Sequence, residues 1–98
     1  FMDDLDIIKQ ILGVFQDSVQ NFEKDFKSLE NSGNHEELSR LVHNLKGSSA
    51  NIRASDVANM AENVQGLIDQ KKDYSDELNP LLESIAELEK EITKIKAQ

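Results

Sequence analysis

A histidine, a lysine and a glycine lie close together near the middle of the chain, in the segment His43-x-x-Lys46-Gly47. On a helix these residues fall at i, i+3 and i+4, and they therefore share one face. At 100° per residue, His43 lies roughly 155° from the middle of the apolar stripe on the same segment. The pattern predicts an imidazole that points into solvent, where it is available as a nucleophile. The apolar stripe consists of Leu38, Leu41, Val42, Leu45 and Ile52.

The segment around the histidine differs in charge from the rest of the chain. The chain has 19 acidic residues against 11 Lys and Arg, which gives a formal net charge of −8. Residues 38–55 contain no acid, but they include Arg40, Lys46 and Arg53. We expect a relatively positive surface around His43, suited to an anionic group or to an acidic partner. The alternative is a chance acid-free window on a solvated helix face.

The residues from His43 to Ile52, His-x-x-Lys-Gly-Ser-Ser-Ala-Asn-Ile, resemble the active helix of histidine-containing phosphotransfer (Hpt) domains. The resemblance covers nearly the whole chain, because the number and lengths of the helices also agree. It implies a four-helix bundle, phosphorylation of His43, and receiver domains as partners. One position differs, since the family commonly has glycine ten residues after the histidine, where this chain has Arg53. We expect the helix to continue through Arg53, so that Arg53→Gly would destabilise the fold through helix propensity. The alternative is a positive φ at Arg53, in which case the same change would stabilise the fold.

Lys46 and Gly47 each have a candidate role next to the histidine. Phosphoryl transfer depends mainly on positioning and charge stabilisation, so Lys46 would neutralise the phosphoryl group on His43. A glycine inside a helix costs about 1 kcal/mol relative to alanine, which suggests that Gly47 keeps the surface beyond His43 free of side chains. The structural alternatives are a solvated lysine and close packing of Gly47 against a neighbouring helix.

Three further residues complete the candidate site. Ala50 and Arg40 extend the proposed docking surface around Gly47 on the same helix. Gln65 lies on the flank of the next amphipathic helix, where its amide would reach the His43 ring or the phosphate if the two helices pack side by side. A surface glutamine without a role is the alternative.

The apolar periodicities predict an all-α fold, an antiparallel up-down four-helix bundle with short loops. We expect the bundle to be a monomer, because four such stripes can cover one another within one chain; a coiled-coil dimer is the structural alternative. The predicted helices run from about Asp3 to Glu30, from near Asn34 through the His43 motif, from Ser55 to about Gln70, and from Asn79 as cap with Pro80 at the first position to about Ile95. As an alternative, the last helix begins earlier, near Ser75, and Pro80 then lies in an irregular first turn.

Composition disfavours several other classes of protein. The chain has no cysteine, and His35 and His43 lack a third ligand at a suitable spacing, so we predict no bound metal and no cofactor. The acidic composition and the lack of a basic stripe argue against nucleic acid. No apolar run reaches the roughly 18 residues of a membrane span. We therefore expect a cytoplasmic location, which a cytoplasmic domain of a membrane sensor kinase would also have.

These features lead to one interpretation and two alternatives. Residues 1–98 form one domain, either alone or excised from a larger hybrid sensor kinase, in which His43 accepts a phosphoryl group from a receiver aspartate and passes it to another receiver. The domain is a carrier without a nucleotide site, and Mg²⁺ is expected from the receiver. A sensor histidine kinase is a further partner that the resemblance admits. The alternatives are the histidine domain of a chemotaxis-type kinase, phosphorylated by a separate ATP-binding domain, and a non-catalytic helical adaptor.

Overall fold

The computed structural model describes residues 4–97, and α-helices account for most of them. No strand occurs among these described residues. The first two of the five helices together correspond to the first predicted helix. The predicted all-α four-helix bundle is therefore confirmed. The start predicted at Asp3 lies outside the described residues. The molecule measures 48 × 21 × 18 Å. The helices are α1 (Asp4–Val19), α2 (Phe22–Ser32), α3 (His35–Asn51), α4 (Ser55–Asp69) and α5 (Ser75–Lys96).

The predicted first helix is interrupted by a turn at Gln20 and Asn21. Asn21 has φ −110° and ψ 11°, outside the helical region, and its carbonyl accepts the N–H of Asp25 at 2.8 Å to begin α2. Asparagine favours such positions because its short polar side chain competes with helical hydrogen bonding. The apolar spacing runs through the turn from Val19 to Phe22, which explains why periodicity predicted one continuous helix.

Side-chain contacts give the relative direction of two helix pairs. α1 and α5 run antiparallel, because Gln16 bonds Thr93 at 3.3 Å whereas the earlier residue Gly13 lies beside Lys96. α3 and α4 are also antiparallel, since partner numbers fall along α4 as they rise along α3. The α3–α4 pairs are Ser39 with Asp69, His43 with Gln65, and Lys46 with Glu62.

The expectation that the helix continues through Arg53 is wrong. α3 ends at Asn51, and Arg53 adopts a left-handed conformation with φ 61°. The N–H of Ala54 bonds the carbonyl of Ser49 at 2.8 Å, and the N–H of Arg53 bonds the carbonyl of Ala50 at 3.0 Å. This pair of bonds is a Schellman motif, which ordinarily has glycine at the left-handed position. The tight turn between α3 and α4 is therefore present despite the arginine.

The last helix begins at Ser75, so the predicted start at Asn79 and Pro80 is also wrong. The carbonyl of Tyr74 accepts the N–H of Leu78 at 3.0 Å, which forms the first turn before the proline. Pro80 is exposed, and water can replace the hydrogen bond that its missing N–H would have made. Hydrogen bonds from the hydroxyl and N–H of Ser75 lower the pKa of Asp73 at this helix start.

Tyr74, immediately before α5, contacts two residues of α2. Its ring packs edge-on against Phe26 with centroids 5.6 Å apart, and its hydroxyl donates to the Glu30 carboxylate. Partial burial and the Glu30 hydrogen bond raise the pKa of Tyr74 to about 12. The phenol therefore remains a neutral donor to Glu30 throughout the physiological pH range.

The core runs along the inner faces of all five helices. Ser49 is the buried polar side chain among the described residues, and its hydroxyl donates to the carbonyl of Leu45 at 2.7 Å, as a small residue within a packed helix interface can do. Burial on this scale supplies the main stabilisation of a small bundle. The buried apolar residues are Phe15, Val19, Phe22, Phe26, Leu38, Val42, Leu45, Val57, Ala61, Val64, Ile68, Leu81, Ile85 and Ile92.

Candidate functional site

The imidazole of His43 stands on the outer surface of α3. Val42 and Leu45 on the same helix are buried, and they fix the rotation of α3 so that His43 between them is exposed. The ring is thus held away from the core by the packing of its own helix. His35, the other histidine of the chain, is exposed at the first position of α3, two helical turns away.

Gln65 of α4 lies against the His43 ring. Its Oε1 atom is 3.4 Å from Nδ1 of His43, a long hydrogen bond, and its side chain is half-buried between the helices. An amide oxygen only accepts hydrogen bonds, so this contact is a hydrogen bond in the tautomer that has the ring proton on Nδ1. In that neutral tautomer the lone pair is on Nε2, the nitrogen that Gln65 does not contact.

Lys46 lies one helical turn after His43, and it is paired with an acid of the neighbouring helix. Its ammonium Nζ is 3.4 Å from Oε1 of Glu62 on α4. Arg40, one turn before the histidine, has its own acidic partner, because its guanidinium lies 2.8 Å from Glu37. The surface around His43 is therefore less positive than the acid-free sequence window suggests, since acids outside that window, Glu37 on α3 and Glu62 on α4, reach both cations.

The surface beyond His43 on α3 is open. A Cβ atom placed on Gly47 would meet no neighbouring atom within 4 Å, so the glycine is not required by packing against another helix. Ala50 and Arg40 are exposed on the same helix. Gly47 and Ala50 thus form a low surface next to the imidazole, which a bulky partner could approach.

The family model of the Hpt domain matches residues 10–98, which is almost the entire chain. The chain therefore belongs to the Hpt domain family. Hpt domains carry out histidine phosphotransfer in phosphorelays and interact with receiver domains of response regulators. A search of curated proteins found no match, and a search of solved structures found none either.

Two features of the surface could not be predicted from the sequence. The pairing of Lys46 with Glu62 depends on the register of α3 against α4, which no spacing within one helix reveals. In α1, Ile8 continues the apolar spacing of Leu12 and Phe15, which is typical of a core position, yet it is 46% exposed. In residues 4–97 no group of three potential ligands could hold a metal ion, and no helix there is long and apolar enough to cross a membrane.

Proposed function

We propose that this domain is a phosphorelay carrier in which His43 accepts a phosphoryl group from the aspartate of one receiver domain and passes it to another. The observation that carries the proposal is the geometry of the ring within an Hpt domain. His43 is exposed, its Nδ1 atom contacts Gln65, and its Nε2 atom is directed away from that contact. An exposed nitrogen with a free lone pair is what in-line attack on an acyl phosphate requires.

The proposed transfer begins with attack of the Nε2 lone pair on phosphorus. The P–N bond forms while the P–O bond to the receiver aspartate breaks, and the aspartate leaves as a carboxylate with the bonding electron pair. Nδ1 keeps its proton, and this N–H donates a hydrogen bond to Oε1 of Gln65 throughout. The ammonium of Lys46, one turn away on the same face, offsets the negative charge of the phosphoryl oxygens. Transfer to the next receiver is the reverse sequence with a new aspartate.

The receiver domain completes the site in this proposal. We assign to it the divalent cation that phosphoryl transfer from an aspartate uses, and to this chain the nucleophile and one cation. The receiver would dock over Gly47 and Ala50, with Arg40 at the margin of the contact. We also propose that the domain acts as a monomer, because its four amphipathic stripes largely bury one another within one chain.

The test of this function is phosphoryl uptake from a phosphorylated receiver domain. Wild-type protein should acquire an acid-labile phosphoryl group, whereas His43→Gln should acquire none. Because His43 is exposed, this change should alter the free energy of unfolding by less than about 1 kcal/mol, and circular dichroism would check that the helices are intact.

His35→Gln is the matched control, since it removes the other histidine, which is also exposed on α3. This variant should accept phosphate as the wild type does. Uptake that survives in His43→Gln, or that is lost in His35→Gln, would overturn the assignment of His43. A helical adaptor would show no uptake in any of the three proteins.

A further inference from the structure

The contact between Lys46 and Glu62 lies beside the contact between His43 and Gln65. Glu62 and Gln65 are three residues apart on α4, and Lys46 and His43 are three residues apart on α3, so the two contacts occupy neighbouring turns of the same helix pair. The Glu62 side chain is 62% exposed and that of Lys46 is 37% exposed. Neither side chain is required to fill the core.

The position of Glu62 opposes the role proposed for Lys46. A phosphoryl group on His43 would carry nearly two negative charges and would attract the ammonium of Lys46. The carboxylate of Glu62 competes for the same ammonium. This competition makes phosphorylated His43 less favourable than it would be with a free lysine.

We infer that Glu62 is a positioning residue that acts through Lys46 to limit the stability of phosphohistidine at His43. This inference rests on the proposed function and adds a residue to it. A carrier must release its phosphoryl group as readily as it accepts it, so an over-stabilised phosphohistidine would be a poor donor. Glu62 provides this limit by drawing the ammonium toward α4 and away from the phosphoryl oxygens.

The position of the Lys46 ammonium also affects the rate of spontaneous hydrolysis of phosphohistidine, which can be measured directly. Water attacks phosphorus, the P–Nε2 bond breaks, its electron pair returns to the imidazole, and inorganic phosphate is released. In a loose transition state the phosphoryl group carries less negative charge than in the phosphohistidine. A cation at the phosphoryl oxygens therefore stabilises the phosphohistidine more than the transition state, and it slows hydrolysis.

The experiment uses phosphoramidate to label the protein and phosphorus NMR to follow the decay of phosphohistidine after removal of the donor. Glu62→Gln should lengthen the lifetime about two- to fivefold, the range expected for one solvent-exposed ion pair. Glu83→Gln is the control, because it removes the same charge from an exposed position on α5. Its lifetime should equal that of the wild type.

Lys46→Gln supplies the second arm of the experiment. This change should shorten the lifetime, and in its presence Glu62→Gln should have no further effect, because Glu62 acts through the lysine. An unchanged lifetime in Glu62→Gln, an equal gain in Glu83→Gln, or a full gain in the Lys46→Gln background would overturn the inference while leaving the proposed function intact. Failure of wild-type protein to be labelled at all would overturn the proposed function and this inference with it.

Discussion

At the scale of single residues, the chemistry depends on which nitrogen of His43 is free. A neutral imidazole has one N–H and one lone pair, and the partner of the N–H decides where the lone pair is. Gln65 is the partner of the N–H in the proposed tautomer, since its Oε1 atom faces Nδ1. An amide has no charge, so Gln65 can hold the ring in one tautomer without placing a negative charge beside the phosphoryl group, as a carboxylate would.

Gly47 gives a prediction at this scale, because its contribution is the absence of a side chain. Gly47→Gln should stabilise the domain by up to about 1 kcal/mol, since glycine is the worse helix former and a Cβ there meets no neighbour. Transfer from a phosphorylated receiver should nevertheless fall at least tenfold, because the glutamine side chain occupies the docking surface. Labelling by phosphoramidate, which needs no docking surface, should continue.

Gly13→Gln is the control for that experiment, since Gly13 lies inside α1 on the side that faces Lys96 of α5. It should leave both reactions unchanged. If Gly47→Gln lost labelling from both donors, Gly47 would serve the imidazole or the fold, and the account of an open docking surface would be wrong.

Sequence reasoning could group His43, Lys46 and Gly47 because all three lie on one helix, where the 3.6-residue period fixes relative direction. It could propose Gln65 only conditionally, because a contact between helices depends on which faces pack and in which register. The sequence gives no reason to include Glu62 in the site, because no sequence signal connects an exposed acid on another helix to Lys46.

At the scale of elements, the helix ends show where backbone geometry overrides local sequence preference. Gly33, Arg53 and Lys71 all have left-handed φ angles, of 73°, 61° and 57°. Each follows a helix and makes the same pair of backbone bonds to the last turn. Only Gly33 has the residue type that this conformation favours. A glycine after a helix is a sequence signal for such a turn at Gly33, whereas no residue type signals the turns at Arg53 and Lys71, which the packing of α4 against its neighbours holds in a conformation that their side chains disfavour.

Arg53→Gly should therefore stabilise the domain, contrary to the expectation from helix propensity. A left-handed residue other than glycine costs about 1–2 kcal/mol, and part of this is offset by the greater freedom of glycine in the unfolded chain. We expect a gain of about 0.5–1 kcal/mol in the free energy of unfolding, measured by urea denaturation.

The reciprocal variant Gly33→Arg should lose a similar amount. A Cβ at Gly33 meets no neighbouring atom, so the cost there comes from the backbone alone. A decrease in stability for Arg53→Gly would mean that the arginine side chain contributes more than its φ angle costs.

At the scale of the whole molecule, the helices differ in where they end. Gly13 lies beside Lys96 near the end of α5, and α1 runs antiparallel to α5, so residues 4–11 extend past the last turn of α5. This overhang leaves the apolar side chains of the first turns of α1 partly exposed in the described part of the chain. Periodicity predicts which face of a helix is apolar, but it cannot predict the relative offset of two helices that decides whether the face is covered. The exposed apolar residues of the overhang are Leu5, Ile7, Ile8 and Ile11, and Val14 in the following turn is exposed as well.

The offset does not involve the candidate site, because α3 and α4 carry the proposed functional residues and pack most extensively against each other. The site is thus assembled by one antiparallel helix pair, and α1, α2 and α5 cover its apolar side. This division explains how the charged and polar residues of the site can reach the surface while the domain keeps one continuous core.

The most direct test of the central claim is to locate the phosphoryl group on the ring. Wild-type protein labelled with nitrogen-15 and treated with phosphoramidate can be examined by heteronuclear NMR, which distinguishes the two nitrogens of each histidine. The account predicts phosphorylation of His43 at Nε2, with the proton retained at Nδ1 next to Gln65. Phosphorylation at Nδ1 of His43, phosphorylation of His35 instead, or no phosphohistidine at all would contradict it.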